Sequence, residues 1–153
     1  GRRPDREQQL EIARMRELRR APEPAPFRVE RARELRERGG DRLVGMTAWL
    51  RPDWTAQTIE VGNSYIHPDA RGTGFNGRLK RLMIDHAFAV GIRRIEFRID
   101  ERNKRSQAAV AKLGCTKEGV LRSERVTWTG RMRDTGVFSI LAKEWAAQGA
   151  AGA

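Results

Sequence analysis

Residues 71–90, RGTGFNGRLKRLMIDHAFAV, constrain the fold more than any other stretch of the chain. A glycine-rich turn runs straight into a segment whose apolar residues recur with a period near 3.6. Phe75, Leu79, Leu82, Met83, Ala87 and Val90 carry that pattern. The spacing predicts a helix over about 75–90, closed by Gly91. A helix opened by glycines presents unpaired N–H groups and the positive end of its dipole, a setting suited to a pyrophosphate. Gly72 and Gly74 allow close approach of an anion, and Arg71, Arg78 and Lys80 add positive charge. The plainer alternative is a turn whose glycines only satisfy the backbone.

Elsewhere the periodicity is that of strands. LVGMTAWL (43–50) reads as a buried strand, and RPDWTAQ as the turn after it. Over 57–66, Ile59, Val61 and Tyr65 fall on one side and Glu60, Gly62 and Ser64 on the other. RRIEFRID (93–100) points Ile95, Phe97 and Ile99 inward. A short helix follows over about 104–113, with Asn103 as N-cap and Gly114 at its end. Strands at about 118–127 and 134–142 are joined near Thr129-Gly130. At the front, 6–20 reads as a helix broken by APEPAP, and Phe27 to Val29 as a short strand. Residues 32–41 read as a charged hairpin connection ending in Gly39-Gly40-Asp41. The tail AAQGAAGA (146–153) has no pattern and is expected to fray. The order is α-β-β-β-α-β-α-β-β, a mixed α+β arrangement in one domain over 1–153.

Composition narrows the function. The net charge of +11 draws phosphate, whether on a cofactor, a nucleic acid or a membrane surface. Because acidic residues sit among the arginines, an evenly basic surface explains the charge as well. A single cysteine, Cys115, excludes an internal disulfide and fits a reducing, cytoplasmic setting. With only His67 and His86 beside it, a zinc site is not expected. No apolar run is long enough to span a membrane, and no segment reads as a signal peptide.

The loop does not suit ATP bound through a P-loop, because Arg78-Leu79 stand where Lys-Ser/Thr would follow. The letters G-x-G-x-x-G fit Gly72, Gly74 and Gly77, and Asp100 stands 23 residues later, near the place of a ribose-binding acid in NAD-type folds. Against that reading, residues 67–71 separate strand from glycines, the upstream strands form a meander, and no series of βα units follows.

Several blocks in order carry a more specific signal: E-V-G on a strand, R-G-T-G opening a helix, N-x-x-S opening the next, L-G then E-G, and R-D-T before the last strand. Together, IEVGNSYIHPDARGTGFNGRLKRLMIDHAF and IEFRIDERNKRSQAAVAKLGCTKEGVLR resemble the GNAT superfamily of acetyl-CoA-dependent N-acetyltransferases. The resemblance is to the branch of RimJ/RimL-type ribosomal-protein N-acetyltransferases, and it covers about 43–143. It implies a mostly antiparallel sheet with the acetyl-CoA site where central strands splay apart. The family's R-x-x-G-x-G/A loop, which binds the coenzyme A pyrophosphate, matches Arg71, Gly72, Thr73, Gly74 and Phe75, with Asn76 at the final small position. Tyr65 and Ile66, on the splayed strand, would pair with pantetheine.

The implied reaction is attack of a primary amine, on a protein N-terminus or a small molecule, on the thioester. Glu60 matches the Glu of the E-x-G strand and is the candidate base; an ordinary ion pair with an arginine is the alternative, and Glu96 is a second candidate. The tyrosine that many members use to protonate the thiolate falls at Val110, so Ser106 of the N-x-x-S block takes that place. Ser106 could instead bond its own backbone. Asn103 would bind pantetheine as well as cap the helix. Cys115 reads as a small buried hydrophobe. Trp49, Trp54, Trp128 and Trp145 read as core or rim, with Trp54 and Trp128 placed to line an acceptor pocket. The family's usual first strand and helix have no counterpart before residue 6, which would leave an edge that a second copy could cover. A non-catalytic, basic nucleic-acid or ribosome-binding module is the contrasting reading.

Overall fold

The computed structural model describes residues 31–36 and 42–151. Six strands form one sheet in the order β1-β2-β3-β4-β6-β5. They are β1 (Arg31–Arg36), β2 (Leu43–Asp53), β3 (Thr58–Ile66), β4 (Arg94–Asp100), β5 (Thr116–Val126) and β6 (Met132–Leu141). Among the described residues three α-helices accompany them, α1 (Phe75–Ala89), α2 (Lys104–Ala111) and α3 (Ala142–Ala151), with a 3-10 turn at Pro68–Ala70. All pairings are antiparallel except β3 with β4. The α+β class and the mostly antiparallel sheet are those the sequence predicts. Its helix at 6–20 and strand at 27–29 lie outside the described residues.

The core is built on one face of the sheet. Ile59 and Val61 of β3, Ile95, Phe97 and Ile99 of β4, and Phe138 and Ile140 of β6 form one cluster with α1 and α2. α1 contributes Phe75, Leu79, Met83, Ile84 and Ala87, while Val110 and Leu113 come from α2 and the residues just after it. The strict alternation of β4 is what makes this possible, since every second side chain is buried. α1 is turned slightly from the face the sequence suggests. Lys80 and Ile84 are buried, Leu82 is half-buried and Val90 is exposed. The helix closes as expected at Gly91, where Ile92 N–H bonds Ala87 O at 3.1 Å and Gly91 N–H bonds Phe88 O at 3.2 Å.

Four expectations are corrected. Residues 31–36 are strand rather than hairpin connection, because backbone pairing with β2 decides the matter where side-chain pattern does not. β2 runs on through Arg51-Pro52-Asp53, with a register shift between Leu50 and Asp53 and Arg51 at φ 47°, so the turn shrinks to 54–57. In β3, Met46 faces Tyr65 while Ala48 faces Gly62, which leaves Asn63 and Ser64 opposite Thr47. Asn63 at φ 47° marks this bulge. It reverses the alternation, so Tyr65 is exposed and Ile66 packs against the core in its place. Finally, the tail is helical to residue 151. Its alanines favour helix, Glu144 accepts from Leu141 N–H at 3.0 Å, and Trp145 docks on α1 by donating to Asp85 at 2.6 Å.

Candidate active site

β3 and β4 pair through only three residue pairs, Thr58–Arg94, Ile59–Ile95 and Glu60–Glu96. Both strands continue beyond that point, β3 to Ile66 and β4 to Asp100, without pairing to each other. The two central strands therefore splay, and the β3 edge from Val61 to Ile66 has no strand neighbour on that side among the described residues. Such an edge is a ready partner for an extended, amide-bearing ligand.

The loop at the end of β3 is held by its own side chains. Arg71 Nε donates to Ile66 O at 2.9 Å, and its guanidinium stands 5.7 Å over the Tyr65 ring. Thr73 donates to Ala70 O at 2.8 Å and accepts from Phe75 N–H at 3.3 Å. Gly72 and Gly74 take φ of 79° and 83°, which an L side chain rarely adopts, and Gly74 is the N-cap of α1. The N–H groups of Gly72, Gly74, Asn76 and Gly77 have no acceptor among the described residues. A Cβ at Gly72 or Gly77 would meet nothing within 4 Å, so the approach to these amides is open. Asn76 Oδ1 is buried with no hydrogen-bond partner. The Phe75 ring is in the core and its N–H donates to Thr73, so its side chain does not face the loop opening. Lys80 is a correction: it adds no charge at the loop, since its side chain is buried beneath β2 and β3.

Glu60 is the last paired residue of β3, and its carboxylate lies on the sheet face away from the core cluster. It is buried and accepts from Arg51 Nη1 at 2.7 Å, with Arg98 Nε at 3.8 Å. Burial raises its pKa above the ordinary carboxylate value, outweighing the lowering by Arg51 and Arg98. Glu96 shares Arg98, at 3.7 Å, and is tied to Arg94, at 2.9 Å. Both the base role and the ion-pair alternative thus rest on one side chain, and Arg51 and Arg98 are neighbours that sequence spacing does not reveal.

α2 begins where β4 ends. Asn103 Oδ1 caps it by accepting from Ser106 N–H at 3.0 Å, as its place before the helix predicts. The Ser106 hydroxyl has no protein partner among the described residues, while Val110 and Leu113 on the same face are buried. Cys115 packs against the core and burial pushes its thiol up to about 12, so it is no nucleophile. Trp49 and Trp145 border the core, whereas Trp54 and Trp128 are exposed. Asp100 is engaged by Arg131 and by Arg102 N–H at 2.9 Å. With a single parallel strand pair among the described residues, the sheet is not that of an NAD-type fold.

Known proteins agree with this geometry. The family model described as "Acetyltransferase (GNAT) domain" matches residues 2–116. A GCN5-related N-acetyltransferase from Brucella melitensis superposes with a TM-score of 0.72 at 29% identity, over 77% of this chain and 53% of that one. A protein of Chromobacterium violaceum assigned to the GNAT family of acetyltransferases gives 0.67 at 35% identity, over 71% and 54%. At 21% identity, the spermidine/spermine N-acetyltransferase SpeG from Vibrio cholerae shares the fold, with a TM-score of 0.64 over 71% and 63%. This chain spans little more than half the length of the first two. No match was found among curated proteins. The chain belongs to the GNAT acetyltransferase family.

Proposed function

We propose that the protein transfers an acetyl group from acetyl-CoA to a primary amine. The observation that carries this reading is the splay of β3 from β4 directly beside the glycine-rich start of α1. The free amides of Gly72, Gly74, Asn76 and Gly77 would hold the pyrophosphate, with Arg71 and Arg78 nearby. Pantetheine would run along the β3 edge past Tyr65 and Ile66 and reach Asn103. The bound coenzyme supplies the activated thioester.

The residues of this chain supply proton handling. Glu60 removes a proton from the incoming ammonium, directly or through water. A carboxyl whose pKa is raised by burial suits that task better than an exposed one. The amine nitrogen bonds to the carbonyl carbon and releases its second proton to water, the carbon–sulfur bond breaks, and the Ser106 hydroxyl protonates the departing thiolate before recovering a proton from water. The acceptor is a protein N-terminus, as in the RimJ/RimL-like branch, or a small-molecule amine. The setting is cytoplasmic, and a second copy could cover an open sheet edge.

A thermal-shift comparison tests the reading. Saturating acetyl-CoA at 100 times its Kd should stabilise the protein by about 2.7 kcal/mol by mass action, while NAD and RNA should leave it unchanged. Stabilisation by RNA alone would replace the enzyme with a nucleic-acid-binding module.

A further inference from the structure

Lys80 is the most buried charged side chain among the described residues, and no carboxylate meets it. Its Nζ donates to Thr47 Oγ1 of β2 at 2.9 Å and to Ser64 Oγ of β3 at 2.5 Å. The two hydroxyls also bond each other at 2.9 Å, and Ser64 donates to Gly62 O at 3.3 Å across the bulge. Of the two places where the β2–β3 register slips, Lys80 reaches the one nearer the pyrophosphate loop, because Thr47 faces Asn63 and Ser64. That slip sets the direction of the β3 edge just before it meets the pyrophosphate loop.

We propose that Lys80 is a positioning residue: from α1 it ties β2 to β3 at the Asn63 bulge and so fixes the β3 edge that receives pantetheine. The proposal rests on the acetyl-CoA reading above. A structural core needs no lysine here, since an apolar side chain would fill the same volume without the cost of burying an ammonium. The ionisable groups on the elements around it are engaged elsewhere. On β2 and β3, Arg51 and Glu60 pair with each other, Asp53 accepts from Ala56 N–H, and Tyr65 lies under Arg71. On α1, Arg78 donates to Thr73 O, Arg81 stacks on Trp145, Asp85 accepts from Trp145, and His86 lies six residues further along the helix. Burial alone, with no charged neighbour, brings the Lys80 ammonium down to about 7. The protonated form donates to both hydroxyls. The neutral amine can accept from one of them, which loosens the tie.

The test compares acetyl-CoA with 3′,5′-ADP, which carries phosphates but no pantetheine, on the wild type and on Lys80→Met by calorimetric titration between pH 6 and 8.5. Lys80→Met should weaken acetyl-CoA by about tenfold and leave 3′,5′-ADP within about twofold. The wild type should lose acetyl-CoA affinity as pH rises through about 7 relative to the variant, with no such difference for 3′,5′-ADP. Ser64→Ala, which keeps the lysine, should show the same selective loss. Equal effects on both ligands, or none on either, overturn the role of Lys80. A wild type that binds neither ligand overturns the acetyl-CoA reading instead.

Discussion

Burial pulls Glu60 and Lys80 toward their neutral forms, and the consequences differ because one must gain a proton and the other lose it. For Glu60 the working species is the carboxylate, so the acid limb of the rate–pH profile should lie above the ordinary value of 4.5. Glu60→Gln should lower kcat/KM by about 10²–10⁴ and abolish that limb while acetyl-CoA affinity stays within about twofold. An unchanged rate would leave Glu60 a structural partner of Arg51. Lys80 has an ordinary pKa of 10.5 and about 7 in the fold. Between these values the unfolded chain keeps a proton that the folded chain lacks, so stability rises with pH from about 7 to about 10.5. Below pH 7 both states are protonated and the folded one bears the full cost of the buried charge. Urea unfolding of Lys80→Met should therefore lack part of the wild-type rise, roughly 2.5 kcal/mol between pH 7 and pH 9. Parallel pH dependence in the two proteins would contradict the low pKa.

At the scale of elements, the path of β3 is set by its partner as well as by its own residues. A Cβ at Gly45 of β2 would stand 2.5 Å from the Tyr65 carbonyl, a backbone atom that cannot turn aside. Gly45→Ala should displace the β3 edge, cost about 1–3 kcal/mol in chemical denaturation, and weaken acetyl-CoA at least as much as it destabilises the fold. Affinity equal to wild type would separate β3 from the cofactor site. The same dependence on neighbours explains what could be read in advance. β4, α2 with its Asn103 cap, and the loop from Arg71 to Asn76 were legible because each carries its cause locally, in alternation, a capping side chain or paired glycines. The bulge at Asn63 was not, because a period of two says nothing about where the partner strand slips. β1 owes its assignment to β2, and α3 to the docking of Trp145. Lys80 did leave a trace: Ile84 and Ala87, four and seven residues on, share its stripe, and a lysine in that company is a buried one. Arg51 and Arg98 left none, since only the folded sheet brings them to Glu60.

For the whole molecule, charge and topology divide the work. The sheet's core cluster lies under α1 and α2, and the other face carries the arginine–glutamate pairs around Glu60 and Glu96, with Leu50 buried beside Glu60. A net charge of +11 favours an anionic cofactor at a distance, so acetyl-CoA affinity should fall several-fold between 0.05 and 0.5 M salt. An affinity indifferent to salt would show that phosphate contacts contribute little. The central claim is that the cofactor lies in the opening between β3 and β4 and meets the start of α1. Amide hydrogen exchange with and without acetyl-CoA measures this most directly. The account predicts new protection concentrated in residues 61–66 and 72–77. Protection confined to other segments, or none at saturating acetyl-CoA, would contradict it.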